Sequence, residues 1–333
     1  MQYKPLGRTG VKVSEICLGA MMFGGRTAHE DAVAIIDAAI DRGINFIDTA
    51  NVYNQGLSEE AVGDALKRRG RDRIVLATKV HGNMDAEDPN GNGNSRRHII
   101  QQCEASLRRL QTDWIDLYQI HRPQSDIPID ETLRALDDLV RDGKVRYVGT
   151  STFAAYQLVE SFWVSEKQNL ARFVCEQPPY NLLDRRIERE LVPVAQQYGM
   201  ALIPWSPLGG GLLTGKYRRG EPLPEDGRFT LSTAPMHRRR MNERVYDLLD
   251  ALDPMAKGKG CTMSQLALAW TLQQPGITSP IIGPRTMEQF EDNMGALGVE
   301  FSDEDLTIID NVAPPGEACS PFYEGDWAPP QYR

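Results

Sequence analysis

Along this chain, short apolar runs of strand length are followed by longer stretches whose apolar residues recur with helical spacing. Residues 3–6 and 11–13 flank the polar turn Gly7-Arg8-Thr9-Gly10 and read as a hairpin. A regular alternation then begins. Strands are predicted at 16–18, 46–48, 74–79, 115–120, 145–149, 173–177, 201–205 and 279–282. Helical patterns follow them at 30–42, 58–69, 95–110, 129–142, 154–169 and 187–198, then at 241–256 with 264–273, and at 286–297. Ser58-Glu59-Glu60-Ala61 resembles a helix start, and Gly43 and Gly70 mark helix ends. The irregular segment 207–235 holds much of the Gly and Pro, and a last helix at 302–311 precedes a tail rich in Pro and aromatic residues.

Eight strand–helix units in 333 residues, with no linker between them, predict a single α/β domain over 1–333. The expected architecture is a closed (β/α)8 TIM barrel with an N-terminal β-hairpin, an extra C-terminal helix and long βα loops. A doubly wound dinucleotide fold would want Gly-x-Gly-x-x-Gly after an early strand. Residues 19–25, Gly-Ala-Met-Met-Phe-Gly-Gly, lack that spacing.

A net charge of −9 and a pI near 5.2 argue against nucleic-acid or anionic-membrane partners. Five cysteines form no Cys-x-x-Cys pair, and their odd number suits a reducing compartment. Residues 1–10 contain no apolar signal core, and no apolar run is long enough to span a membrane. The expected location is therefore cytoplasmic. No His, Cys or Asp spacing fits a metal site, and none is expected.

Barrel chemistry sits where strands end at their C-terminal side. Those ends carry Asp48 with Tyr53, then Lys79, His121, Ser151 with Thr152, Gln177, and Trp205-Ser206. Each has a plain structural reading: Asp48 as a turn cap, Lys79 reaching solvent, Trp205 as a rim aromatic. Together, Asp48, Tyr53, Lys79 and His121 form an acid–base set. A phenol is ordinarily a poor acid at neutral pH, and an adjacent ammonium held by a carboxylate makes its proton easier to give up. With a histidine to hydrogen-bond a substrate oxygen, such a set suits protonation of an alkoxide forming from a carbonyl.

The chain resembles the aldo-keto reductase family over nearly its full length. The likeness rests on Pro5-Leu6-Gly7-Arg8-Thr9-Gly10, on Phe46-Ile47-Asp48-Thr49-Ala50 with Tyr53, on Ala77-Thr78-Lys79, and on Tyr118-Gln119-Ile120-His121. It implies Tyr53 as general acid, Lys79 and Asp48 as its tuning pair, and His121 orienting the carbonyl. Channel-associated β subunits of the family replace this histidine, so its presence points to turnover. The resemblance also implies a hydride carrier, NADPH/NADP+, with Ser151, Gln177 and Trp205 as nicotinamide contacts and Ser206-Pro207-Leu208 following the tryptophan. Thr152 and Glu176 depart from the family, standing where many members have Asn.

Gly210 through Lys216 match Gly-x-x-x-x-Gly-Lys, the start of a P-loop, but Tyr217 replaces the Ser/Thr that would hold magnesium. Those glycines instead let backbone amides approach a pyrophosphate, with Lys216 and Arg228 supplying charge. After strand eight, Gly283, Arg285, Gln289 and Asn293 resemble the family's site for the adenosine 2′-phosphate, with free amides of a helix start expected beside Arg285. The expected function is reduction of an aldehyde or ketone by NADPH, with a small-molecule carbonyl as partner. The rivals are a redox-sensing NADP(H)-binding subunit with little turnover, and a barrel isomerase or lyase that uses no nicotinamide. Loops 21–26, 83–94, 122–127 and 223–240 and the tail 320–333 are the expected specificity elements, with Phe23, Phe322 and Trp327 as candidate pocket walls.

Overall fold

The computed structural model describes residues 1–225, 227–231 and 240–320. The hairpin pairs β1 (Tyr3–Pro5) with β2 (Lys12–Ser14) in antiparallel register. Its turn presses on the barrel floor. A Cβ at Gly7, whose φ is +58°, would lie 2.5 Å from the Val174 carbonyl oxygen, so only glycine fits there.

Eight parallel strands curl into a (β/α)8 barrel. They are β3 (Cys17–Gly19), β4 (Phe46–Asp48), β5 (Val75–Val80), β6 (Ile115–Ile120), β7 (Val145–Ser151), β8 (Cys175–Gln177), β9 (Ala201–Leu202) and β10 (Ile281–Ile282). From β3 to β9 each strand pairs with the next, β10 pairs with β3, and β9 and β10 share no ladder. The seam between β9 and β10 is held by the Ile281 N–H donating to the Pro204 carbonyl and the Thr278 N–H to the Leu202 carbonyl, both at 2.8 Å.

Strand alternation sorts side chains into two cores. Phe46, Val75, Ala77, Leu117, Cys175 and Ala201 point inward and pack with Leu6 and Val13 of the hairpin, forming an apolar plug inside the barrel. Their neighbours Ile47, Leu76, Tyr118 and Ile120 point outward into the larger core beneath the surrounding helices. Directly above the plug the inward positions become polar: Asp48, Lys79, Gln119 and Gln177, all buried.

Six helices follow the first strands: α1 (His29–Asp41), α2 (Leu57–Arg69), α3 (Arg96–Leu110), α4 (Ile129–Arg141), α5 (Ala155–Gln168) and α6 (Leu191–Tyr198). Several expected boundaries shift for identifiable reasons. The strand expected at 201–205 ends at Leu202, and the one expected at 279–282 starts only at Ile281, because Pro204 and Pro280 have no N–H for a ladder. The helix expected from 187 begins at Leu191, since Pro193 is tolerated only in a first turn; Arg186–Glu188 form a 3-10 turn ahead of it. Ser58 does not cap α2. The helix follows Gly56 in a left-handed conformation, while the Ser58 hydroxyl donates to the Ala20 carbonyl at 2.7 Å. Phe23, expected at a pocket wall, lies fully buried in the outer core. Phe322 and Trp327 lie outside the described residues. Among the described residues no helix is long and apolar enough to cross a membrane.

The last helix, Asp303–Val312, is fastened by Arg185. This guanidinium, 5% exposed, donates to Glu188 at 2.8 Å, to Asp310 at 2.7 Å and to the Ala313 carbonyl at 2.6 Å. It also lies 5.0 Å from the centre of the Trp270 ring. Replacing Arg185 by Ala removes the cation paired with the Glu188 and Asp310 carboxylates and the donor to the Ala313 carbonyl. A stability loss of about 3 kcal/mol is expected, read as a lower midpoint of denaturant unfolding.

Candidate active site

At the C-terminal end of the barrel, β4 presents Asp48 and β5 presents Lys79, both inward. The Lys79 ammonium is completely buried and donates to three acceptors: Asp48 Oδ2 at 2.5 Å, the Thr49 carbonyl at 2.7 Å and Tyr53 Oη at 3.3 Å. Three donors meet three acceptors, so the ammonium is saturated. Burial alone would lower the lysine pKa, but the charge of Asp48 and the contacts of Asp48 and Tyr53 outweigh it and hold the pKa above 10.5.

The other carboxylate oxygen, Asp48 Oδ1, accepts from the side-chain amides of Gln119 and Gln177, each at 2.9 Å. Gln177 was expected to offer its amide to a nicotinamide; its N–H instead supports Asp48, although the residue still borders the cavity. Gln119 had no assigned role. Its place on β6, two residues after inward Leu117 and two before His121, is the signal that would have found it. Gly149 makes room for it, since a Cβ there would lie 3.3 Å from Gln119 Cγ.

Tyr53 opens a 3-10 turn, Tyr53–Gly56, after β4. Its ring meets the His121 ring edge-on, with centroids 5.5 Å apart. His121 follows β6, its N–H bonded to the Val80 carbonyl at 2.9 Å. Burial, then the charges of Lys79, Arg122 and His81, push its pKa well below 6.5, so the imidazole is neutral at ordinary pH. A neutral imidazole beside a phenol held by an ammonium gives two hydrogen-bond donors for one small oxygen.

Asp48, Tyr53 and His121 line a cavity of about 660 Å³, and Lys79 lies beneath it. The same cavity is bordered by the residues expected to hold a cofactor: Ser151, Gln177, Trp205, Ser206, Leu208, Gly210, Lys216, Arg228, Gly283, Arg285, Gln289 and Asn293. Met21, Met22, Arg26 and Arg122, from two of the expected specificity loops, also line it. The Ser151 hydroxyl donates to the Gln177 carbonyl at 2.9 Å, and Arg122 Nη1 donates to the His121 carbonyl at 2.7 Å.

The glycine-rich segment forms a 3-10 turn, Gly209–Thr214, with Gly210 and Gly211 at positive φ, and bears no resemblance to a strand–loop–helix P-loop. The helix expected from 286 is Met287–Met294, with Thr286 as its cap. Its first turn is less free than expected: Thr286 Oγ1 accepts the Gln289 N–H at 3.2 Å, and Gln289 Oε1 accepts the Arg285 N–H at 2.9 Å. Arg285 lies outside the helix. Burial, and then the charges of Arg26 and Arg285, lower the Arg228 pKa from its ordinary value. Mutually repelling guanidiniums around one cavity fit a polyanion, which relieves the repulsion.

A model of the aldo/keto reductase family matches residues 15–314. The chain is 40% identical to an uncharacterized oxidoreductase, YrpG, of Bacillus subtilis, over 94% of this chain and 96% of that protein. It is 38% identical to a probable voltage-gated potassium channel subunit beta of Arabidopsis thaliana, over 90% of this chain and 92% of that one. A putative channel subunit beta of Schizosaccharomyces pombe is also 38% identical, over 93% and 92%.

Behind the site, Glu176 points outward from β8 and is fully buried. Burial outweighs its bonds to Thr150 (2.5 Å) and the Phe153 N–H (3.3 Å) and raises its pKa from 4.5 to about 8. Between those values the native carboxyl keeps a proton that the unfolded chain releases, so this group's contribution to stability falls as pH rises. Glu176→Gln removes that dependence. Its stability relative to the parent is expected to rise by roughly 1.4 kcal/mol per pH unit within the window, measured by denaturant unfolding at pH values near its two ends.

Proposed function

Because the chain belongs to the aldo/keto reductase family, we propose that it reduces an aldehyde or ketone to an alcohol at the expense of NADPH. The observation that supports this most directly is the chain of contacts from Asp48 through Lys79 to Tyr53 Oη, at 2.5 and 3.3 Å, opening on the cavity that neutral His121 shares. NADPH, when bound, supplies the hydride. The protein's own residues supply orientation and the proton.

Lys79 has only hydrogens to offer, so the Tyr53 oxygen is the acceptor in their bond. The phenol's own proton is therefore directed away from Lys79, towards the cavity. A carbonyl oxygen held by the Tyr53 O–H and a His121 N–H is polarised before reduction and protonated by Tyr53 as negative charge develops on it. The charge left on the phenol oxygen is stabilised by Lys79, which Asp48 and the Thr49 carbonyl keep in place. Ser151 and the Trp205 face would hold the nicotinamide, and backbone amides around Gly210 with Lys216 the pyrophosphate. Arg285, Gln289 and Asn293 would take the adenosine 2′-phosphate, a preference for NADPH over NADH, with Arg228 adding charge on the pyrophosphate side.

A second reading has its own support in the relatives named as channel β subunits. In that reading the chain holds NADP(H) and reports its redox state with little turnover. Oxidation of one equivalent of bound NADPH by a reactive aldehyde, against repeated turnover, separates the two.

Tyr53→Phe is expected to abolish NADPH oxidation across a panel of aldehydes, keto-sugars and other ketones while retaining the quenching of nicotinamide fluorescence. Near-normal turnover in that variant would exclude the mechanism. For Arg285→Ala, NADPH binding is expected to weaken at least tenfold, about 1.4 kcal/mol, with NADH binding little changed. Equal weakening of both, read by titration of the fluorescence quench, would remove the 2′-phosphate assignment.

A further inference from the structure

Tyr53 stands on a strained turn. The next two residues, Asn54 and Gln55, have φ of +49° and +55°, a left-handed pair of non-glycine residues. Such a pair persists only where its surroundings hold it. On one side the anchor is Asn54 itself, whose amide donates to the Met21 and Phe23 carbonyls at 3.1 and 2.7 Å. On the other side the chain runs through Gly56 into α2, and the first turn of that helix carries Glu59, a completely buried carboxylate.

Glu59 has two partners. Its Oε1 accepts from the Thr78 hydroxyl at 2.5 Å, and its Oε2 from Arg109 Nε at 2.7 Å. Thr78 directly precedes Lys79 on β5 and points outward where Lys79 points inward. Arg109 belongs to α3, and its stem runs beneath the turn: a Cβ on Gly56 would lie 2.6 Å from Arg109 Cδ. One carboxylate thus ties the segment that carries Tyr53 to the strand that carries Lys79 and to the helix that supports both. A buried carboxylate costs far more desolvation than an apolar residue of its size. Packing alone gives no reason for one here.

We propose that Glu59 is the positioning residue for Tyr53, with Thr78 and Arg109 as its fixed points. The clamp sets the separation of Tyr53 Oη from Lys79 Nζ and does not touch substrate or cofactor. Its value for catalysis rests on the reading of Tyr53 as proton donor, whereas its effect on the phenol can be read without turnover.

The test follows the near-ultraviolet absorbance of tyrosinate against pH, with the Tyr53 step identified by its absence in Tyr53→Phe. In Glu59→Gln and Thr78→Val the turn is expected to drift from Lys79, and the step moves to higher pH. With a carbonyl substrate, Glu59→Gln should lower kcat about a hundredfold, the scale of an ångström's misplacement, with nicotinamide quenching unchanged. Asp116→Asn is the control. Asp116 accepts the Leu76 N–H at 2.9 Å and Arg71 at 2.5 Å at the far end of the same strands, so its loss should lower thermal stability without moving the step.

A step that stays in place in both clamp variants while only their stability falls overturns the proposal. So does an equal displacement in Asp116→Asn. Should Glu59→Gln fail to fold, Thr78→Val decides, because it removes a single hydroxyl at nearly constant shape. A displaced step in a protein that reduces no carbonyl keeps the clamp and removes the reductase reading; turnover with an unmoved step does the reverse.

Discussion

The constraint on which the rest of the barrel depends is the ammonium of Lys79, sealed beneath the cavity with no access to water. A lone buried charge costs several kcal/mol even after relaxation, and the cost is offset only by an opposite charge and filled hydrogen bonds. Each neighbouring element supplies part of that compensation. β4 gives the Asp48 carboxylate and the turn after it gives the Thr49 carbonyl, while β6 and β8 give the amides that occupy the second carboxylate oxygen. After these, one ammonium hydrogen remains, and it is directed at Tyr53. Satisfying a buried charge and aiming a phenol are here the same arrangement.

This explains why the polar layer lies where it does. Below it the inward positions are apolar and the hairpin closes the floor, so no water reaches the ion pair from that side. Above it lies the cavity, whose remaining walls come from loops rather than strands. The deep half of the site is therefore set by barrel register. The upper half, with Trp205, the Gly209–Thr214 turn and the segment around Arg285, is set by loop conformation.

That division decides what could be read from the sequence. Period-two alternation and the clustering of ionisable residues at strand ends point to the barrel and to Asp48, Lys79 and His121, because register is a local property of the chain. Tyr53 follows from its spacing after Asp48 together with the family likeness. What could not be read are contacts between elements far apart in sequence. The amides of Gln119 and Gln177 converge on Asp48 from two other strands, and the Gln289 side chain folds back on Arg285. Glu59 looked like part of a helix start; only the approach of α3 and β5 makes it a buried clamp. Phe23, in a loop and aromatic, suggested a pocket wall, whereas the loop turns it into the outer core.

The seam between β9 and β10 has a consequence for how the molecule breathes. These strands are two residues each, and Pro204, two residues past β9, and Pro280, just before β10, bring no N–H to a ladder. The circle is complete, yet it is thinnest here, and native-state opening is drawn from such stretches of few protected amides. Trp205 stands just past one side of the seam and Gly283 and Arg285 just past the other. A ligand long enough to touch both sides acts as a staple across the joint. By mass action its binding closes the barrel as well as filling the cavity, so occupancy and the cohesion of the fold rise together.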